Sequence, residues 1–205
     1  MSRTLYIIRH GNTFAPGDVV RRIGRRTDLP LVASGIAQAK ALADYFISKN
    51  IEPSKIYCAP LQRTIQTAQT IAHTQHRSLD LIKMANLSEI DYGPDENKAE
   101  DDVIARIGSP ALTAWNNHST PPDGWVVDPV ALIKEWQKIF DKIAKEEPRD
   151  ASVFAVTSNG IARFALDAIQ PDAIPYAKKL RTGAFGKVII GDDGQAIIEQ
   201  WDERP

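Results

Sequence analysis

The sequence predicts an α/β protein, a three-layer α/β/α sandwich built on a mostly parallel central sheet. Three observations lead there. Runs of strand length stand at residues 5–8, 55–59 and 151–157. Stretches with helical spacing of apolar residues separate them, the pattern of a parallel-rich sheet covered on both faces. The first run also stops abruptly at Arg9-His10-Gly11, as a buried strand does when it ends in a polar loop.

Taken in order, residues 5–8 (Leu-Tyr-Ile-Ile) form the first strand. Residues 12–31 lack periodicity and contain Pro16, Gly17, Gly24 and Pro30, so they read as a long loop, a kind that is usually functional or disordered. Ser34 is placed to cap a helix over 35–49, with Ile36, Ala39, Ala43, Phe46 and Ile47 on one face. A strand over 55–59, a helix over 61–72 and a short strand over 80–84 follow. Between 93 and 124 the signal weakens: residues 95–102 are mostly polar and acidic, and Pro121-Pro122-Asp123-Gly124 breaks the chain. Asp128 as cap and Pro129 in the first turn open a long helix with Leu132, Ile133, Trp136, Ile139, Phe140 and Ile143 as its apolar stripe. A strand over 151–157, a helix over 161–169 and a hairpin of 187–190 with 196–201 about Asp192-Asp193-Gly194 complete the chain. Residues 1–205 are expected to form one domain, with 94–150 inserted as a largely helical cap.

Composition narrows the function classes. The 205 residues carry a net charge of −1, which gives no sign of a nucleic-acid or anionic-membrane partner. A hydrophobic share of 43% and a charged share of 25% are ordinary for a globular protein. With Cys58 as the single cysteine, no internal disulfide and no cysteine metal cluster is possible, and a reducing, cytoplasmic setting is expected. No run reaches the length of a membrane span, and the start is too short for a signal peptide.

Arg9-His10-Gly11-Asn12-Thr13 is the chemically suggestive segment. A histidine at the carboxyl end of a strand sits where open α/β sheets place ligands. A neutral ring with one nitrogen fixed by a hydrogen bond is a competent nucleophile, and a neighbouring guanidinium suits phosphate oxygens. Alone, the pentapeptide fits a structural turn equally well.

The rest of the chain supplies context. The strand followed by Arg9-His10-Gly11 resembles the signature of the histidine phosphatase (phosphoglycerate mutase-like) superfamily. The segment from Gly24 to Leu31 with Gly35 and Gln38-Ala39, the run Ala59-Pro60-Leu61-Gln62-Arg63-Thr64, and Leu87-Ser88-Glu89-Ile90-Asp91-Tyr92-Gly93 resemble the family's next segments in order. The resemblance covers most of the chain and is weakest over 94–150. It implies His10 as nucleophile, Arg9 and Arg63 as phosphate clamps, and Glu89 as general acid and then base. Two guanidiniums would offset a phosphate dianion, and a carboxyl beside it would tend to keep its proton near neutral pH. No metal and no cofactor is implied.

Other residues carry two readings. Asp91, Asp95 and Glu96 compete with Glu89. Asn12 and Thr13 either donate to phosphate or stabilise their loop. Arg21-Arg22 and Arg25-Arg26 either attract a second anionic group or form a solvated basic loop. His73 and His76 lack a third metal ligand and read as surface residues. Cys58 reads as a small buried hydrophobe, and Trp115, Trp125 and Trp136 either pack the inserted segment or, for one of them, line the pocket.

One departure stands out. Where the family carries a second histidine after its fourth strand, with an arginine five residues on, this chain has Thr157-Ser158-Asn159-Gly160-Ile161-Ala162-Arg163. Ungapped alignment on Gly160 and Arg163 puts Ser158 there, and a one-residue gap puts Asn159 there. Either side chain offers only a neutral donor, weaker than an imidazolium. The expected function is therefore a phosphomonoesterase working through phospho-His10 on a small phosphorylated molecule, with Arg9, Arg63, Asn12, Ser158 and Asn159 as phosphate ligands. The alternatives are a degenerate pseudo-phosphatase that only binds, and, ranked last, a mutase. Substrate and oligomeric state are not legible.

Overall fold

The computed structural model describes residues 2–75, 79–169 and 177–205. A six-stranded sheet runs in the order β3-β2-β4-β1-β5-β6. Its strands are β1 (Ser2–Arg9), β2 (Pro53–Cys58), β3 (Leu81–Lys83), β4 (Ser152–Thr157), β5 (Phe185–Gly191) and β6 (Ala196–Glu203). β1 pairs in parallel with β4, in register from Thr4↔Ser152 to Arg9↔Thr157. β2 is parallel to β3 and β4, whereas β5 is antiparallel to both β1 and β6. The expected fold class is thus the observed one.

Alternation along the strands divides the interior into two cores. Leu5 and Ile7 of β1, with Val153 and Ala155 of β4, face α5 (Pro129–Glu146) and α6 (Asn159–Ile169). Tyr6 and Ile8, with Phe154 and Val156, face α1 (Ala33–Ser48) and α2 (Gln62–His73). A strand buried on both faces must be apolar throughout, which is why residues 5–8 show no alternation.

Three expectations change. α1 is not capped by Ser34: Val32 precedes its first turn, and no side chain caps it. Tertiary contacts replace the cap, because Val32 N–H donates to Asn12 O (3.1 Å) and Ser34 Oγ accepts from Asn12 Nδ2 (3.3 Å). The buried face of α1 is Gly35, Ala39, Leu42, Ala43 and Phe46, while Ile36 and Ile47 stay exposed. The apolar pattern admits two neighbouring phases, and Gly35 decides between them, because the loop after β1 packs on it.

The segment 93–124 is also ordered, with α3 (Glu100–Ile107) and α4 (Ser109–His118) joined at Gly108. Glu100, Asp101 and Asp102, part of the stretch read in the sequence as polar and acidic, occupy the first turn of α3, where the helix dipole favours acids. The third change concerns the expected cap over 94–150. Its last part, α5, is a layer of the sandwich: Trp136, Ile139, Phe140 and Ile143 share one core with Leu5 and Val153, and Trp136 Nε1 donates to Ile161 O (2.9 Å). Asp128 caps α5 as expected, accepting from Ala131 N–H (3.0 Å). Among the described residues no helix is long and apolar enough to cross a membrane.

The loop after β1 lies directly on α1. A Cβ on Gly11 would stand 2.3 Å from Gly35 O, and one on Gly35 would stand 2.1 Å from Asn12 O. Both obstacles are backbone and cannot swing aside. Gly35→Ala should therefore cost at least about 1–3 kcal/mol in denaturant unfolding, the range for overpacking a close contact, whereas Ala→Gly at Ala37 should shift stability by less.

Candidate active site

β1 and β4 end side by side, and the residues just beyond them meet. His10 N–H donates to Thr157 O (3.1 Å), which fixes His10 next to Ser158 at the carboxyl edge of the sheet. The ring is buried, 4% exposed, and lines a cavity of about 1090 Å³. Its Nδ1 lies 2.7 Å from Gly11 O. A carbonyl only accepts, so Nδ1 carries the proton and Nε2 keeps its lone pair. Burial, then the Arg63 and Arg9 guanidiniums, hold the imidazole well below its usual pKa, so it is neutral near pH 7.

Arg9 also lines the cavity, and its Nη1 donates to Leu180 O (2.7 Å). Arg63, in the first turn of α2, is fully buried. Its Nη1 donates to Thr27 O (2.8 Å) and its Nη2 to Gly24 O (3.0 Å), so it anchors the long loop. Arg63 is not among the lining residues. It acts on the site through its charge, as its effect on His10 shows.

Glu89 lines the cavity with both oxygens occupied. Oε1 accepts from Ile90 N–H (2.9 Å) and Oε2 from Gly160 N–H (3.2 Å) in the first turn of α6. A Cβ at Gly160 would lie 2.1 Å from Glu89 Oε1, so only glycine admits this approach. The competing acids are engaged elsewhere. Asp91 pairs with Arg26, Asp95 takes Arg106 and Trp125 Nε1, and Glu96 accepts from Gly24 N–H and Thr27 Oγ1.

The two candidates for the vacant histidine position separate. Ser158 is fully buried, its Oγ has no partner among the described residues, and it does not line the cavity. Asn159 does line it. Ser158, which ungapped alignment prefers for the vacant histidine position, is sealed from the cavity, whereas Asn159 beside it reaches the lining. Asn159 Oδ1 accepts from Leu180 N–H (2.8 Å), which leaves its Nδ2 free to donate. Asn12 also lines the cavity, but its side chain bridges Thr182 Oγ1 (2.5 Å) and Ser34 Oγ (3.3 Å), the loop-stabilising reading.

The arginine cluster divides as well. Arg22 pairs with Glu100 and lies over the Tyr92 and Trp125 rings, 5.4 and 5.3 Å from their centroids. Arg26 binds Asp91, and Arg21 lines the cavity. Trp115, Trp125 and Trp136 are buried in one core, and none lines the cavity. Cys58 is buried, with its thiol pushed up by burial. His73 is exposed, and His76 lies outside the described residues. Among the described residues no three His, Cys, Asp or Glu side chains group to hold a metal. Sequence reasoning missed Asn116, Asn117, His118, Lys178 and Lys179 as lining residues, since nothing local marks residues that only the fold gathers.

The model of the histidine phosphatase superfamily, branch 1, matches residues 5–201. The chain belongs to this superfamily. Over 188 residues it is 26% identical to a 2,3-bisphosphoglycerate-dependent phosphoglycerate mutase of Brucella ovis, spanning 89% of this chain and 90% of that protein. Other relatives match in part. An 89-residue stretch, 43% of the chain, is 39% identical to the Proteus mirabilis protein named "Probable phosphoglycerate mutase GpmB", and covers 39% of it. A 26% identical match takes in 75% of the chain but 38% of the 55 kDa subunit of yeast transcription factor tau. The chain thus spans well under half the length of these last two.

Solved members share the fold. A mycobacterial glucosyl-3-phosphoglycerate phosphatase superposes with a TM-score of 0.81 at 19% identity, covering 99% of this chain and 100% of that one. A Bacillus anthracis phosphoglycerate mutase superposes at 0.80 with 20% identity, covering 98% and 93%. Within the superfamily's framework, the neutral ring of His10 is the property most open to direct observation.

Imidazole ¹⁵N spectra should show His10 as the Nδ1–H tautomer with no titration between about pH 6 and 8. The linkage has a definite sign. The folded pKa lies below the unfolded value of about 6.5, so below that pH the unfolded chain binds a proton that the folded site resists. Stability should fall as pH drops through this range, and His10→Asn should remove that part of the fall.

Proposed function

We propose that the chain is a phosphomonoesterase working through a covalent phosphohistidine at His10. The observation that carries this reading is the buried, neutral ring with its Nε2 free, facing a cavity beside a carboxylate. His10 Nε2 attacks phosphorus, the bond from phosphorus to the ester oxygen breaks, and Glu89 gives that oxygen a proton. Glu89 then takes a proton from water as the water attacks phosphorus, the phosphorus–nitrogen bond breaks, and inorganic phosphate leaves. Arg9 and Asn159 Nδ2 are assigned to the phosphoryl oxygens, with Arg63 supplying charge from the layer beneath. Asn12 holds the loop. Residues 1–205 act as one domain, with the α3–α4 segment as the wall that selects substrate.

A second reading has one specific observation in its favour. Sealed Ser158 and uncharged Asn159 stand where the family places an imidazole, and loss of one oxyanion donor costs on the order of a hundredfold in rate. In that reading the chain binds a phosphorylated ligand without turnover.

Phosphate release from a panel of phosphomonoesters decides between them. The proposal expects measurable release from wild type, loss of at least about a thousandfold in His10→Ala, and a fall of about a hundredfold in Asn159→Asp. That last variant keeps the acceptor for Leu180 N–H while removing the donor. Phosphate binding by wild type with no release from any ester, together with release gained on Ser158→His, would establish the binding-only reading.

A further inference from the structure

β6 does not end as a regular strand. Its pairing with β5 passes from Lys187↔Gln200 to Phe185↔Glu203, so β6 carries one more residue than β5 over the same stretch. Such a bulge at a sheet edge re-aims a side chain. Asp202 lies inside it at φ +61°, in the left-handed region that favours glycine. A non-glycine residue held there costs free energy, which its surroundings must offset.

Arg181 supplies the offsetting contacts. Asp202 Oδ1 accepts from the Arg181 backbone N–H and Oδ2 from its Nε, both at 2.6 Å, and Asp202 O accepts from its Nη2 (2.8 Å). Arg204 Nη2 donates to Thr182 O (2.6 Å). The end of β6 thus holds the turn over 180–183 from outside. As an ion pair the contact counts for little, because the Arg181 and Asp202 side chains are 49% and 28% exposed. Its effect is geometric: three donors of one residue are fixed on one neighbour.

The inner side of the same turn touches four residues of the candidate site. Leu180 O accepts from Arg9 Nη1 (2.7 Å), and Leu180 N–H donates to Asn159 Oδ1 (2.8 Å). Thr182 Oγ1 donates to Asn12 Oδ1 (2.5 Å), and Gly183 N–H donates to His10 O (3.2 Å). Leu180 is fully buried, so its peptide cannot exchange these bonds for water unless the turn opens. Arg9 Nε is buried with no partner among the described residues, so the bond to Leu180 O is what orients that guanidinium. Burial opposes the Arg9 charge, and the Asp202 carboxylate is among the groups that support it.

We infer that Asp202 is a positioning residue: through Arg181 it fixes the 180–183 turn, and the turn aims Arg9 and Asn159 at the phosphoryl oxygens. This rests on the phosphoryl reading of the His10 end of the cavity. Asp202 does not line that cavity, so it acts through the turn.

Three variants test it. Asp202→Gly keeps the left-handed backbone and removes the carboxylate. Asp202→Asn keeps that backbone, which asparagine tolerates, and an acceptor for the Arg181 N–H. Glu199→Gln weakens the Lys187–Glu199 pair elsewhere on β6 and serves as control. In Asp202→Gly, kcat/KM for an ester from the release panel should fall by at least about tenfold, the consequence of a displaced clamp. The Kd for inorganic phosphate should rise by at least about fivefold. The unfolding midpoint should stay within about 3 °C of wild type, since an exposed ion pair adds little stability. Amide hydrogen exchange at Leu180 should be faster than in wild type. Asp202→Asn should recover most of these losses, and Glu199→Gln should match wild type throughout. Wild-type constants in Asp202→Gly overturn the inference. So do losses with Leu180 exchange unchanged, losses that Asp202→Asn shares in full, and losses in step with a lowered midpoint. If the wild type binds phosphate but hydrolyses no ester, the phosphatase reading fails, and the phosphate constants still decide the inference. Absence of phosphate binding by wild type overturns both.

Discussion

The site is organised around an imidazole kept uncharged in the company of guanidinium groups. Burial and two nearby positive charges all oppose protonation of His10, and the hydrogen bond to Gly11 O then settles which nitrogen bears the one remaining proton. Each half needs the other. Burial weighs most, and the arginines add to it in opposing a proton that would block attack on phosphorus. Without the Gly11 bond, either tautomer would be open and Nε2 would be free only part of the time. The same arginines that help to keep the ring neutral also favour an anion beside it.

That arrangement depends on backbone placed with little slack. Glycine at 11 and 35 allows the loop after β1 to lie on α1, and glycine at 160 allows Glu89 to reach the first turn of α6. The peptide of Leu180 joins two parts of the site, accepting from Arg9 through its carbonyl and donating to Asn159 through its N–H. Asn159 is therefore aimed by the same residue that aims Arg9, although the family's usual imidazole is missing from the neighbouring position. A buried and unpartnered Ser158 Oγ marks where that imidazole would begin.

Much of this was legible in order along the chain. Strands buried on both faces announce themselves as unbroken apolar runs, and Arg9-His10-Gly11 ends one of them. Glu89 was harder to separate from Asp91, Asp95 and Glu96, since spacing cannot tell an acid that lines a pocket from one that ties down a loop. Their partners make the distinction: Arg26, Arg106 and the Gly24 N–H claim the other three. Ser158 and Asn159 could not be ordered by alignment because side-chain reach is a property of the folded edge. The bounds of α3 and α4 were not legible because the acidic first turn of α3 resembles solvated chain, and the contacts among Asp95, Arg106 and Trp125 join residues separated in sequence. The lining residues Asn116, Asn117, His118, Lys178 and Lys179 were invisible for the same reason.

The central claim is that His10 Nε2 takes the phosphoryl group. Its most direct test is rapid quenching of the chain with a ³²P-labelled ester found in the release panel, followed by alkaline digestion and mapping of the labelled peptide. The account predicts acid-labile, alkali-stable label on the peptide containing His10, bonded at Nε2, formed within one turnover and chased by unlabelled substrate. Release of phosphate at full rate with no such label, or with label on another residue, would contradict it.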